Sequence, residues 1–328
     1  MSRRTKFLIS LVVSGGALYY AFKGEDFAAL TERISQVRMG YLIAGVAILV
    51  FSVLVRAKRW QLILLPMERI RLHPLFGVTM IGYFGNTVLP FRLGEILRAY
   101  SLSSVSQITV SRAFGTIILE RVIDMLGAIV LMLVFIPLFP FNDSSVPFFA
   151  LLFSIMTFAG VVVLIGLGYA RQNWFERLHE KPFFQRKTTS FILNLLDKLI
   201  DGLTALRNTR HAFSIIGYTL FLWIIYYFLT YSFLEAVGVQ IGNVGVGIVL
   251  ITTTLALAIP ALPGFVGTYD VVAKTTLTAL FAIRGDHALA YAIVSHAASI
   301  MPYLVIGAVY FVLSSVHIRD IKKAPLNS

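Results

Sequence analysis

The chain of 328 residues has no cysteine and little charge. The lack of cysteine excludes disulfides, thiolate metal ligands and a cysteine nucleophile. Charged residues make up 13% of the sequence and hydrophobic residues 58%, and the mean hydropathy is +0.82. A soluble domain of this length needs more polar surface than these residues can supply. The composition therefore predicts a polytopic membrane protein.

Acidic residues are the scarcer charge, with 16 Asp and Glu against 28 Lys and Arg and a net charge of +12. The basic residues cluster between hydrophobic segments rather than along one face. This distribution favours contact with anionic lipids at the cytoplasmic surface and argues against nucleic-acid binding. Metal-spaced histidines, a phosphate-loop glycine pattern and a nucleophile elbow are also missing from the sequence. We therefore expect no cofactor, no metal and no catalytic residue set of a known type.

Six apolar runs are long enough, with their flanks, to cross a bilayer, which takes about 20 residues. They lie near 6–22, 41–56, 113–138, 147–170, 212–236 and 288–314. The first is interpreted as a retained helix, because no convincing signal-peptide cleavage site follows it. Two further apolar stretches, 74–102 and 244–283, contain glycine and proline breaks. The predicted fold is all-α, with about six full transmembrane helices and two broken or re-entrant helical hairpins.

Basic loops predict the orientation of these spans. Arg56, Lys58, Arg59, Arg69 and Arg71 mark one cytoplasmic loop, and the basic residues of 171–210 mark another. Both termini are then cytoplasmic, and the two hairpins must enter from opposite faces, as in an inverted-topology repeat. Whether each hairpin is re-entrant or fully spanning stays open.

The predicted organisation is one integral membrane domain, 1–328. Its repeat halves cover about 41–170 and 212–314, with a cytoplasmic linker at 171–211. Amphipathic patterns at 187–207 and at 27–37 predict helices that lie in the membrane interface and seal its edge.

The two interrupted stretches share a pattern. In each, Leu-Pro is followed four residues after the proline by glycine, with an acidic residue one or three positions later. The helix breakers are Pro90, Gly94, Pro260, Pro263, Gly264 and Gly267. Non-helical backbone at membrane depth is tolerated only where protein buries it or water reaches it. The repeated pattern therefore predicts a cavity shared by the two halves.

Charged residues accompany the first break. If a helix begins after Pro90, then Arg92, Glu95 and Arg98 share roughly one of its faces. Asn86 lies in the freed backbone, and the unpaired amides of the new helix would favour a phosphate or carboxylate. In the alternative interpretation, Glu95 only neutralises arginines that extend to the cytoplasmic interface.

The following apolar span contains Glu120, Arg121 and Asp124. Each ionised group costs about 2.5–3.5 kcal/mol at the centre of a transmembrane helix, so the three must pair or face water. Arg121 and Asp124 are three residues apart and can pair. A structural ion pair with a neighbour such as Arg92 or Arg98 and a direct transport role both fit this pattern.

The second break is followed by Asp270 and Lys274, four residues apart in the order that favours a helical ion pair. They are the candidate counterpart to Glu95 and its arginines, or else an isolated pair near the outer surface. His296, in the last span, is a candidate to line the cavity or a packing residue.

These motifs, in this order and spacing, resemble the lysylphosphatidylglycerol synthase transmembrane-region family, which includes the flippase half of the multiple peptide resistance factor. The resemblance covers about residues 6–314 and implies a cytoplasmic-membrane protein of bacteria or archaea that moves a polar-headed lipid between leaflets. Two departures concern head-group preference: Asp270 stands where relatives often have glutamate, and Ser295-His296 lies where they often have arginine. The soluble aminoacyl-transferase domain of some relatives is missing from this sequence, so we expect no aminoacyl-lipid synthesis by it.

The function predicted from residues and resemblance together is a lipid translocase with a charged groove for a head group that carries phosphate. Its candidate substrate-binding residues are Asn86, Arg92, Glu95, Arg98, Glu120, Arg121, Asp124, Asp270, Lys274 and His296. The alternatives are an integral-membrane transferase that acts on a lipid or polyprenyl phosphate, and a non-transporting scaffold for a lipid-modifying enzyme. The sequence is compatible with two kinds of association, with further copies of the chain or with a lipid-synthesis enzyme.

Overall fold

The computed structural model describes residues 3–89, 92–141, 211–257 and 263–314, together with the isolated helical positions 155 and 159. These residues form helices joined by short connections, and no strand occurs among them. The helices are α1 (Arg3–Phe22), α2 (Phe27–Ser35), α3 (Met39–Leu64), α4 (Leu72–Val88), α5 (Gly94–Val105), α6 (Val110–Phe135), α7 (Ala212–Ala236), α8 (Gly242–Ala256), a 3-10 turn (Pro263–Phe265), α9 (Thr268–Phe281) and α10 (Gly285–Leu313). The prediction of an all-α fold is confirmed for this part of the chain.

Three of the described helices are long and apolar enough to cross a bilayer: α3, α7 and α10. They contain the predicted spans near 41–56, 212–236 and 288–314. Helix α6 has 26 residues and covers most of the predicted span at 113–138, but it carries charged side chains near its middle. The predicted span at 147–170 and the amphipathic segment at 187–207 lie outside the described residues, apart from positions 155 and 159.

Two pairs of shorter helices replace the interrupted stretches. Helices α4 and α5 have 17 and 12 residues, and α8 and α9 have 15 and 14, each below the roughly 20 residues of a full span. In the first pair the helices approach closely at glycines. A Cβ on Gly85 would lie 2.7 Å from the Cα of Gly94, and a Cβ on Gly94 would overlap the carbonyl oxygen of Gly82. Glycine at these positions lets the two backbones touch.

The helix contacts of the two halves correspond. Helix α3 packs on α4, as α7 packs on α8, and α5 packs on α6, as α9 packs on α10. Across the halves, α4 contacts α10 and α8 contacts α6, while α3 and α7 pack directly against each other. Each half therefore places a long helix, a short hairpin and a second long helix in equivalent relations.

One predicted boundary is wrong. Arg56, Lys58 and Arg59 do not belong to a cytoplasmic loop, because α3 continues to Leu64. Arg56 and Arg59 are buried within the helix bundle, whereas Arg69 and Arg71 are exposed in the connection to α4. Apolar residues after Arg59, such as Trp60, keep this segment inside the bundle.

The short amphipathic helix predicted in 27–37 is present as α2. Asp26 caps its N-terminus by accepting a hydrogen bond from the backbone N–H of Ala28 at 2.8 Å. Arg33 on α2 forms an ion pair with Asp286 at the start of α10, with 3.5 Å between the charged atoms. Helix α2 is thereby fixed to the end of α10.

Candidate functional site

A buried ionic cluster lies where α3, α5, α6 and α7 meet. Glu120, near the middle of α6, is fully buried between two arginines. Its carboxylate oxygens lie 2.7 Å from Nη1 of Arg98 on α5 and 3.4 Å from Nη2 of Arg59 on α3. The guanidinium of Arg98 also stacks over the ring of Trp60, 3.8 Å from its centroid. The predicted ion pair between α6 and Arg98 is therefore present.

Asp124, one turn further along α6, forms ion pairs with three arginines. Its oxygens lie 2.8 Å from Nη1 of Arg56, 2.7 Å from Nη1 of Arg59 and 3.6 Å from Nη1 of Arg121. The Arg121–Asp124 contact was expected from their spacing. Side chains of α7 complete this side of the cluster, because Arg56 donates to the hydroxyl of Tyr226 at 2.7 Å and Arg59 donates to Thr219 at 3.0 Å.

The outer edge of the cluster is formed by Arg121 and Glu95, whose charged atoms are 2.5 Å apart. The Arg121 side chain is 36% exposed and that of Glu95 16%, whereas Arg59 and Glu120 are inaccessible. Glu95 and Arg98 both lie on α5, and each pairs with a residue of α6. The cluster therefore runs from a closed interior to a more open edge at Arg121.

The cluster carries an excess of positive charge. It contains four guanidinium groups, those of Arg56, Arg59, Arg98 and Arg121, against three carboxylates, which leaves one positive charge. Several buried donors, including Nη2 of Arg98 and Nε of Arg121, have no hydrogen-bond partner among the described residues. Unused donors and surplus positive charge at membrane depth favour an anion.

Arg92 occupies a different place from the one predicted. Helix α5 begins at Gly94, so Arg92 is not on its face with Glu95 and Arg98. Arg92 has a left-handed backbone conformation, with φ 54°, and its side chain is exposed. Such a conformation is uncommon for a residue other than glycine and concentrates at functional sites.

The two breaks contact each other. The guanidinium of Arg92 lies 5.2 Å from the ring centroid of Phe265 and donates to the carbonyl oxygen of Leu257. A Cβ on Gly264 would lie 3.7 Å from the carbonyl oxygen of Thr87. Phe265, like Arg92, has a positive φ, of 61°. The two breaks therefore lie against each other, while Pro90 and Pro260 lie outside the described residues.

At the second break, Asp270 and His296 form a compact buried pair. Nδ1 of His296 is 2.9 Å from Oδ1 of Asp270, and its Nε2 is 2.7 Å from the carbonyl oxygen of Gly264. The other oxygen of Asp270 accepts from the backbone N–H of Gly267 at 2.9 Å. Gly264 and Gly267 have φ of 71° and 87°, which only glycine adopts without strain. Together these bonds fix the turn between α8 and α9.

Lys274 does not pair with Asp270, although their spacing predicts it. Its ammonium lies 2.6 Å from the Glu25 carboxylate and donates to the carbonyl oxygen of Ala21 at 2.6 Å. Lys274 therefore fastens α9 to the end of α1, away from the ionic cluster. Asn86 lies beside the first break, with its side-chain oxygen buried against Gly94 and without a hydrogen-bond partner among the described residues.

Arg56 and Arg59 are the site residues that the sequence analysis missed. They were interpreted as the start of a loop because two arginines and a lysine follow an apolar run. A signal was present, since the apolar pattern resumes at Trp60 and the two arginines are three residues apart, on one helical face.

These observations define a helical membrane protein whose two hairpins meet beside a buried ionic cluster. The model of the family described as the lysylphosphatidylglycerol synthase TM region matches residues 7–307. The chain belongs to that family, and the predicted resemblance is confirmed.

Two curated relatives are similar to the chain. The protein named glycosyltransferase AglD of Haloferax volcanii is 27% identical over 252 residues, which cover 68% of this chain and 40% of AglD. The UPF0104 membrane protein of Methanothermobacter thermautotrophicus is 24% identical over 287 residues, or 82% of this chain and 83% of that protein. The chain thus spans less than half of AglD. No solved structure matches it.

Proposed function

We propose that this protein moves a lipid with an anionic, phosphate-bearing head group between the leaflets of the cytoplasmic membrane of a bacterium or archaeon. The observation that carries the proposal is the ionic cluster at the middle of α6, in which four arginines face three carboxylates. A purely structural ion-pair network would have equal numbers of positive and negative groups, because an uncompensated charge in a membrane costs free energy. The surplus charge and unused donors suit a phosphate.

The path of the head group follows from the open edge of the cluster. Arg121 is its most accessible arginine, and Arg92 is exposed at the contact between the two breaks. A phosphate that enters between the hairpins would bind these two residues first. It would then replace the Glu95 carboxylate as the partner of Arg121. The lipid tails would stay in the bilayer, because each methylene drawn into water costs about 0.8 kcal/mol.

We also propose that the two halves form an inverted-topology repeat with both termini in the cytoplasm. The corresponding helix contacts of the halves support this arrangement, as does the shortness of α4, α5, α8 and α9. Hairpins that enter from opposite faces and meet near the midplane would give each leaflet its own access to the cluster.

The proposal is tested by lipid exchange in proteoliposomes. Fluorescent phosphatidylglycerol in the inner leaflet becomes accessible to dithionite only after it crosses the membrane. We expect Arg121→Gln and Arg92→Gln to slow exchange by about tenfold or more, the effect of losing one charge-assisted hydrogen bond. Arg71→Gln is the matched control, since it removes the same charge from an exposed connection. Equal rates in all three variants would contradict the proposal.

A second candidate function is an integral-membrane transferase that acts on a lipid or polyprenyl phosphate. The observation in its favour is the similarity to a protein named a glycosyltransferase. The same arginines would then bind the phosphate of the acceptor, with Glu95 or Asp124 as a base. Product formed from a polyprenyl phosphate acceptor, without exchange of fluorescent lipid between leaflets, would favour this function over translocation.

A further inference from the structure

The hydrogen bonds that connect Asp270, His296 and Gly264 at the second break depend on how many hydrogen atoms the Asp270–His296 pair carries. Gly264 contributes a carbonyl oxygen, which can only accept, so Nε2 of His296 must carry a hydrogen. Nδ1 and Oδ1 of Asp270 are 2.9 Å apart and also need a hydrogen between them. The arrangement therefore holds two hydrogens, as imidazolium with carboxylate or as imidazole with carboxylic acid.

Loss of one of these protons breaks a hydrogen bond. With Asp270 ionised and His296 neutral, the single ring hydrogen can serve Nδ1 or Nε2, but not both. If it stays on Nδ1, the lone pair of Nε2 faces the carbonyl oxygen of Gly264. If it stays on Nε2, the lone pair of Nδ1 faces the carboxylate. The first outcome is favoured because the carboxylate is the stronger acceptor, and it releases Gly264.

Gly264 belongs to the segment that contacts the first break. It precedes Phe265, whose ring lies under the guanidinium of Arg92, and it packs near the carbonyl oxygen of Thr87. Movement of the Pro263–Phe265 turn would therefore reach Arg92, which interacts electrostatically with Arg121 and Glu95 at the open edge of the ionic cluster. His296 is thus connected to the anion site through one turn of backbone.

We propose that Asp270 and His296 form a proton-binding site whose occupancy holds the second break against the first. This inference rests on the proposed function, for which it supplies the coupling: a proton leaves the pair to water, the pair changes from neutral to singly negative, and the Gly264 turn separates from Arg92. Histidine is suited to this role, because both of its ring nitrogens donate when it is protonated and only one donates when it is neutral.

Other charged and titratable groups lie on the elements packed around this pair. They include Tyr269, Lys274, Asp286, His287, Tyr291, Tyr303 and Tyr310 on α9 and α10, Glu25 and Arg33 from the side of α1 and α2, Arg92 at the first break, and Arg56, Tyr83 and Tyr226 on α3, α4 and α7. The Tyr269 ring is 4.8 Å from the ring of His296, and its hydroxyl is engaged with Ser295 at 2.9 Å. Lys274 and Asp286 are already paired with Glu25 and Arg33. Helix α8 contributes no titratable residue.

Because the sequence contains no cysteine, one introduced thiol can report on the solvent exposure of the Pro263–Phe265 turn. Val266→Cys places one thiol two residues after Gly264, at a position where the native residue is 37% exposed. The reconstituted protein is treated with a membrane-impermeant maleimide at a series of pH values. The matched background is His296→Arg, whose guanidinium can donate to both partners and cannot release a proton.

Two labelling rates are compared, that of Val266→Cys alone and that of Val266→Cys with His296→Arg. We expect the ratio of the first rate to the second to rise roughly fivefold with increasing pH, because losing one hydrogen bond has an effect of this size. Comparison at each pH cancels the ionisation of the thiol. Asp270→Asn is a second variant, because its amide N–H can donate to Nδ1 as the carboxylic acid does, which leaves the Nε2 hydrogen on the Gly264 carbonyl at every pH. Its labelling should be low at every pH. A ratio independent of pH, or Asp270→Asn labelling that follows the native profile, would overturn the proposal.

Lipid exchange measured on the same samples separates this inference from the proposed function. Exchange that occurs in the native protein and is equally fast in His296→Arg at every pH would remove the proton-binding role and leave translocation standing. A labelling ratio that depends on pH in a protein without leaflet exchange would keep the proton-binding site and reject translocation.

Discussion

The two breaks use the same backbone device and different chemistry. Each interrupts a short helical hairpin and contains a residue other than glycine with positive φ, Arg92 in the first and Phe265 in the second. The first break lies beside seven charged side chains of a buried cluster, whereas the second is held by the Asp270–His296 pair. A shared backbone device therefore does not require shared chemistry, since one break lies beside arginine–carboxylate pairs and the other is held by a histidine–carboxylate pair.

Removing a carboxylate beside either break should have the strongest effect on stability. Glu120→Ala leaves Arg98 buried without its counter-ion, which typically costs about 3–5 kcal/mol, whereas Arg59 keeps Asp124 at 2.7 Å. Asp270→Ala should cost less, about 1–3 kcal/mol, because histidine can release its proton and arginine cannot. The free energy of unfolding in detergent, followed by titration with a denaturant, measures both. Equal losses would break the distinction between an arginine cluster and a proton-dependent pair.

Alanine substitutions of the glycines at the two breaks should have smaller effects on stability, and these effects should differ between the breaks. Gly94→Ala should destabilise the protein by about 1–3 kcal/mol, because the new methyl group overlaps the carbonyl of Gly82. Gly264→Ala has room, with Ile300 at 3.4 Å, and should lose only about 1 kcal/mol through its positive φ. Gly217→Ala, in α7 with nothing within 4 Å, is the control and should be neutral or slightly stabilising. Thermal unfolding of the three variants tests this order of destabilisation. A smaller loss of stability in Gly94→Ala than in Gly264→Ala would contradict it.

The smallest expected effect on stability concerns two partly exposed ion pairs, Glu95–Arg121 and Glu25–Lys274. Glu95→Gln and Glu25→Gln should each lower the free energy of unfolding by about 1 kcal/mol, because glutamine keeps a side-chain oxygen that accepts from the cation. Only Glu95→Gln should alter lipid exchange, since Glu25 lies at the end of α1 beside the second hairpin. Parallel measurement of unfolding and exchange checks this, and a similar change of exchange in both variants would speak against a head-group site confined to the first break.

Much of the site was predictable because charges in apolar segments are conspicuous. Glu120, Arg121 and Asp124 stand out in their span, and the spacing of Arg121 and Asp124 correctly indicated their contact. Lys274 was paired wrongly because spacing along one helix cannot show a carboxylate on another, such as Glu25. Arg92 was placed on α5 because the left-handed backbone that delays the helix to Gly94 leaves no pattern in the sequence.

From the amino-acid sequence alone it follows that this chain is helical, that it belongs in a membrane, and where its hydrophobic runs are broken. Composition and local spacing are sufficient for these properties, since each depends on residues within a few turns of one another. The folded structure was needed to show that Arg56 and Arg59 enter the ionic cluster, that Arg92 lies over Phe265, and that His296 joins Asp270 to Gly264. These contacts connect segments far apart in sequence, and packing of whole helices fixes them.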